Sequence, residues 1–188
     1  MVMRIVFETH ATTTDNEAGI ATGWLPGELS ARGRGQAAEL GERRRRDGVS
    51  AVYVSDLRRA LETAHIAFAG SDLPIVTDAR LRECNYGRLN GMPKADLDRE
   101  RIRHVEQPWP DGESYADVVE RTRELIAELL AGRDGSPVLL VGHSANKWAL
   151  DHLLLGRDLA ELVNGGFAWQ PGWEYVVDQR HSYTRASP

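Results

Sequence analysis

"PVLLVGHSANKWALDHLLLG", residues 137–156, decides the fold. Val138 to Val141 form a short, unbroken apolar run, the pattern of a strand covered on both faces. A glycine and a histidine follow at once. Then comes a helix-length segment that Gly156 is placed to stop. A buried strand, a tight turn and a helix make up the repeating unit of a parallel sheet.

The same grammar recurs on the N-terminal side. "RIVF" (4–7) is a buried strand, followed by a polar, Gly-containing loop through Gly27. Ser30 is predicted to cap a helix over "ARGRGQAAELGERRRR", with its arginines late, where the helix dipole favours them. "AVYV" (51–54) is a second strand, and Asp56 is the expected cap of a helix over "LRRALETAHIAFA". Leu57, Leu61, Ala64 and Phe68 share one face of that helix at 3.6-residue periodicity. "LPIV" (73–76) is a third strand, followed by a polar helix near 94–104. Ser114 opens a helix over "YADVVERTRELIAELLAG", with Asp117 at the capping-box position and Gly132 as its end. "FAW" and "WEYVV" offer edge strands. No repeat or linker divides the chain. Such alternation implies right-handed crossovers. The fold class that follows is α/β, a three-layer α/β/α sandwich with a mainly parallel central sheet, in one domain over residues 1–188.

Composition narrows the function. The 188 residues are 41% hydrophobic and 27% charged, as in ordinary globular proteins, and the net charge of −5 argues against general nucleic-acid binding. The Arg43–Arg46 run is therefore read as a solvated helix end. Lys94 and Lys147 are the only lysines, so nearly all positive charge is guanidinium, which suits phosphate or carboxylate. Cys84 is the only cysteine, which excludes an internal disulfide and a cysteine-rich zinc site. "MVMRIVF" is too short for a signal peptide, and no apolar run approaches the roughly 20 residues of a membrane helix. The expected setting is cytoplasmic, without membrane association.

Ligands of such sheets bind beyond the carboxyl ends of the strands. The first strand ends in His10. The second ends in Ser55, with Arg58 and Arg59 just beyond it. Arg80, Arg82 and Glu83 follow the third, and Gly142 and His143 end the fourth. Imidazole is a competent nucleophile toward phosphorus, arginine can hold the equatorial oxygens, and a carboxylic acid can protonate the departing alkoxide. The set fits a phosphoryl transfer that needs neither metal nor cofactor. Trp148, Trp169 and Trp173 read as packing residues and His65 as a solvated one. Asp151–His152 lacks a third ligand at useful spacing.

These motifs, in this order, resemble the histidine phosphatase superfamily, phosphoglycerate-mutase-like branch, over nearly the full length. Thr9-His10-Ala11 stands where that family has Arg-His-Gly, so the resemblance implies that His10 is phosphorylated. It makes Asn16 a phosphate-binding residue and "TGW", with Thr22 and Gly23, a loop that meets substrate. "LSARGRGQA" (29–37) and "SDLRRALETA" (55–64) match family segments, the second assigning Arg59 rather than Arg58 to phosphate. "LRECNYGRLNG" (81–91) assigns Glu83 as proton donor and Tyr86, with Lys94, to substrate. "VLLVGH" makes His143 the second phosphate-pocket histidine, with Ser144 beside the substrate. The departures are Thr9, Ala11, Ser144 and Ala145. Arg4, Arg88 and Lys147 are the named substitutes for the missing arginine.

The implied activity is phosphomonoester hydrolysis through a phosphohistidine on a small phosphorylated metabolite. The alternatives are mutase-type phosphotransfer and a non-catalytic phospho-ligand-binding descendant. A serine hydrolase is a further one, because "GHSAN" resembles a nucleophile elbow with Ser144 as nucleophile and His152 and His181 as available bases. The short chain and the absence of asparagine after His143 favour hydrolysis over mutase transfer.

Overall fold

The computed structural model describes residues 2–132 and 134–178. In chain order the elements are β1 (Val2–Thr9), α1 (Thr14–Glu17), β2 (Ile20–Ala21), α2 (Ala31–Arg44), β3 (Ala51–Val54), α3 (Arg58–Ala67) and β4 (Ile75–Thr77). They continue with β5 (Met92–Pro93), α4 (Lys94–Glu100), α5 (Tyr115–Gly132), β6 (Val138–Gly142), α6 (Ser144–Leu155), α7 (Leu159–Gly165) and β7 (Trp173–Asp178). The main sheet runs in the order β4-β3-β6-β1-β7. Its first four strands are parallel, and β7 closes antiparallel on β1. The expected α/β architecture is observed.

Side-chain alternation along the strands sets the layers. Leu139 and Val141 of β6 join Val6, Val52 and Val54 against α2 and α3. Val138 and Leu140 face the other way and join Ile5, Phe7 and Leu125 under α5 and α6. With both faces of β6 fully buried, its unbroken apolar run has its physical reason. A third cluster, around Trp109, Tyr115 and Trp148, builds the wall on which α4 and α7 rest.

The helix signals hold in most places. The Ser30 hydroxyl accepts from Gly33 N (3.1 Å), and Ser114 and Asp117 exchange the bonds of a capping box. Gly156 ends α6 in the left-handed region at φ +67°. Four expectations are corrected. Asp56 caps nothing: Leu57 is the N-cap of α3, and the Asp56 carboxylate instead takes both ends of the Arg82 guanidinium at 2.5–2.6 Å. A two-bond charged fork is stronger than one capping bond. The Arg43–Arg46 run is only partly solvated, because Arg44 is buried on Glu8 (2.8 Å) and Arg45 donates to the Ala67 carbonyl (2.6 Å). "FAW" forms no strand, and the helix near 94–104 tightens into a 3₁₀ turn from Arg101.

Candidate active site

The carboxyl ends of β1, β3 and β6 finish level with one another, and their backbones are stitched together. His10 N donates to the Gly142 carbonyl (3.0 Å) and Ser55 N to that of Val141 (3.0 Å). This stitching brings the rings of His10 and His143 to a centroid separation of 4.9 Å, although 133 positions divide them in the chain. Two adjoining cavities open here. The inner one, about 110 Å³, is lined by His10, Asn16, Thr22, Gly23, Arg59 and Glu83 among others, and the outer one is about 400 Å³. Tyr86, Lys94 and Ser144 line both.

The geometry fixes the protons. His10 Nδ1 lies 2.7 Å from the Ala11 carbonyl, which can only accept, so Nδ1 carries the hydrogen. The Nε2 lone pair of the neutral ring is then left for the cavity. Burial, reinforced by the Arg59 charge and opposed by the Ala11 bond, pushes the His10 pKa down to about 3. The ring is therefore neutral at physiological pH. Burial, Arg59 and His10 also hold His143 well below its ordinary value. Arg59 is a pure donor and lies 3.3 Å from His143 Nδ1, so that nitrogen accepts, and His143 Nε2–H donates to Ser55 Oγ (3.0 Å).

Arg59 is buried at the start of α3. Its Nη2 donates to the Gly23 carbonyl (2.8 Å) and its Nη1 to that of Leu25 (3.3 Å). With the His143 contact, these bonds leave two of five N–H donors for a ligand. Gly23 must be glycine: its φ is +56°, and a Cβ would lie 1.9 Å from Asn90 Oδ1. Asn16 Oδ1 accepts from Thr13 N (3.0 Å) in the cap of α1, which leaves its amide N–H₂ free to donate. Glu83 accepts from Cys84 N (2.8 Å), Ala145 N (3.3 Å) and Ser144 Oγ (3.0 Å). Burial, with the Glu83 charge, raises the Tyr86 phenol well above its ordinary value, so it stays protonated.

The structure thus gathers all ten residues singled out from the sequence, with changes of place. His143 lines neither cavity and stands fully buried behind Arg59. Ser144 points its hydroxyl at Glu83, with no histidine on it, and His152 Nδ1 faces the Arg157 carbonyl (2.8 Å). No elbow base therefore serves Ser144 among the described residues; His181 lies outside them. The Thr22 hydroxyl is held by Asp15 (2.8 Å), and Lys94 by Asp98 (2.5 Å). Arg80 and Arg82 turn away to Asp78 and Asp56. The three proposed substitutes for the arginine missing at Thr9 all pair elsewhere: Arg4 with Asp47, Arg88 with Asp111, and Lys147 with Asp151. None lines either cavity. Trp148 and Trp173 pack as expected, but Trp169 is 58% exposed on the rim of the outer cavity.

Sequence reading missed two supports. Ser55 fixes the His143 tautomer. Arg121, in the second turn of the longest described helix, donates to the carbonyls of Arg80 (2.6 Å) and Glu83 (3.0 Å) and so holds the loop that carries Glu83. The strand-end position of Ser55 was a usable signal. Arg121 offered none, because the two carbonyls it holds lie about 40 residues away, although its ion-pair partner Glu113 is near in the chain.

Comparison with known proteins gives a consistent picture. The profile of the histidine phosphatase superfamily (branch 1) matches residues 5–171. A glucosyl-3-phosphoglycerate phosphatase of Mycolicibacterium vanbaalenii is 35% identical, over 82% of this chain and 75% of its own. A 2,3-bisphosphoglycerate-dependent phosphoglycerate mutase of Corynebacterium diphtheriae is 38% identical, over 85% and 81%. The solved native structure of a mycobacterial glucosyl-3-phosphoglycerate phosphatase superposes with a TM-score of 0.76 at 32% identity, covering 88% of this chain and 85% of that one.

Proposed function

The chain belongs to branch 1 of the histidine phosphatase superfamily, and from that premise we propose that it hydrolyses a small phosphorylated metabolite through a phosphohistidine on His10. The observation that carries this reading is the Nδ1–Ala11 bond of His10, which leaves the Nε2 lone pair for the cavity beside Arg59. Nε2 attacks phosphorus in line as the ester P–O bond breaks. The uncommitted donors of Arg59 and the Asn16 amide take the equatorial oxygens. His143 positions Arg59 from behind. Glu83 gives its proton to the departing alkoxide, then takes one from the water that cleaves the N–P bond. Phosphate leaves and the ring returns to its neutral state.

Mutase-type transfer is the second reading, favoured by the cavity-facing Tyr86 and Lys94 and by the mutase relative. Hydrolysis is preferred because the outer cavity is wide enough to admit water while the alcohol departs. One family domain over residues 1–188, acting in the cytoplasm where charged phosphomonoesters are confined, completes the proposal. Among the described residues no helix is long and apolar enough to cross a membrane.

The test is mass spectrometry without acid, after incubation with a panel of phosphomonoesters, together with phosphate-release assays. The expected result is an acid-labile adduct on His10 and no turnover in His10→Ala. An adduct on Ser144 or Cys84, or undiminished turnover in the variant, would sink the assignment. Transfer of the label to added alcohol without free phosphate would replace hydrolysis by mutase chemistry.

A further inference from the structure

Thr9 leaves a gap in the site. The residue is buried to 8% exposure, lines the outer cavity next to His10, and its hydroxyl has no hydrogen-bond partner. Four cations reach the walls of the two cavities: Arg59, Lys94, Arg101 and Arg32. Arg59 is already counted in the inner cavity. Lys94 and Arg101 share the Asp98 carboxylate at 2.5 and 2.8 Å, so one acidic group offsets part of their charge. Arg32 alone among the four has no ion-pair or hydrogen-bond partner among the described residues.

The placement of Arg32 is fixed by its helix. The first turn of α2 is clamped onto Thr12, two residues beyond His10. Ser30 N donates to the Thr12 carbonyl (3.1 Å), and Thr12 N donates to Gln36 Oε1 (3.0 Å). Gly33 lies so close that a Cβ would sit 1.9 Å from the Thr12 oxygen. Arg32 and Gln36 are four residues apart, hence on one helix face, and both line the outer cavity with Thr9, His10 and Thr12. The side chain of Arg32 is exposed, so its guanidinium is free to turn toward an anion in the outer cavity.

We infer that Arg32 supplies the positive charge that position 9 lacks, closing over the phosphoryl group from the first turn of α2. This rests on the phosphatase reading above. The planar guanidinium takes two phosphoryl oxygens at once, on the side of His10 opposite the Arg59 pocket. Its donors are uncommitted until substrate arrives. A cation delivered from a helix thus replaces one delivered from the strand end.

The test uses the full chain, p-nitrophenyl phosphate as a substrate with no second anionic group, and inorganic phosphate as a binding probe. Arg32→Ala is expected to lower kcat/KM on p-nitrophenyl phosphate by about 100- to 1,000-fold, the scale of losing one oxyanion donor, and to weaken phosphate binding about tenfold. Arg46→Ala removes an equal charge outside the cavities and is expected to leave both unchanged. Thr9→Arg is expected to restore the Arg32→Ala variant to within about threefold of the starting chain. Alone, it should add little, because two guanidinium groups would compete for the same oxygens. The inference is overturned if Arg32→Ala keeps full activity on p-nitrophenyl phosphate, or loses activity only on esters whose alcohol carries its own anion. An equal gain from Thr9→Arg in both backgrounds also overturns it. If the unaltered chain releases no phosphate from any ester, the hydrolytic reading falls by itself, and an unchanged phosphate Kd in Arg32→Ala then decides against Arg32.

Discussion

At the scale of the residue, the site rests on two histidines kept neutral by burial and by the Arg59 charge. That arrangement has a cost in acid. The folded pKa of His10 lies near 3 while the unfolded chain titrates near 6.5, so below 6.5 the unfolded state binds the extra proton. Stability therefore falls as pH drops from about 6.5 toward 3. For His10 alone the loss between pH 7 and pH 5 amounts to about 2 kcal/mol, because at pH 5 the folded ring is still neutral. Urea denaturation of the starting chain and of His10→Gln at both pH values measures it. The variant should lose about 2 kcal/mol less on acidification, and an equal loss in both would contradict a depressed His10.

His10, Arg59 and Glu83 were legible as candidates because each follows the carboxyl end of a strand, whereas Asn16, and the choice of Arg59 over Arg58, came only through the family resemblance. What replaces the missing arginine was not. Arg4, Arg88 and Lys147 were named from charge, although Lys147 and Asp151 stand at i,i+4 and could have been paired from the sequence.

At the scale of the element, α2 shows how two similar glycines can differ. Gly33 touches the Thr12 backbone, whereas a Cβ at Gly35 meets nothing within 4 Å. Gly33→Ala must push the first turn away from the His10 loop, at a cost of about 1–3 kcal/mol, and kcat/KM should fall with it. Gly35→Ala should instead stabilise the helix by about 1 kcal/mol with activity intact. Thermal melts and kinetics of the pair check both signs. Loss of stability in neither variant would mean that α2 is not clamped to Thr12. Helix ends whose caps are local, at Ser30 and Ser114, could be read from the chain. The start of α3 could not, because the group that captures Asp56 is Arg82, 26 positions on and in another loop.

At the scale of the whole molecule, the order of the strands was open to inference only as a class. Alternating strands and helices imply a parallel sheet, but nothing local states that β1 lies between β6 and β7. That position depends on long-range pairs. Glu8, 1% exposed on β1, holds Arg43 (3.3 Å) and Arg44 (2.8 Å) of α2, and Arg44 reaches on to Asp47 (2.9 Å) and the Pro171 carbonyl (3.4 Å) just before β7. One ionic cluster therefore ties the strand that leads into His10 to the segment leading into β7.

β7 runs beside β1 from Phe7↔Trp173 to Val2↔Asp178. Without it, the strand that leads into His10 would present a row of unpaired amides to water, a ready template for other chains. A chain ended before Trp173 should thus fail first by self-association, forming large species by light scattering even at low concentration, while the unshortened chain does not. A shortened chain that stays monodisperse yet inactive would show that β7 serves the site alone. On the pairing seen here, the last described strand is a seal that keeps the strand leading into His10 from recruiting copies of itself.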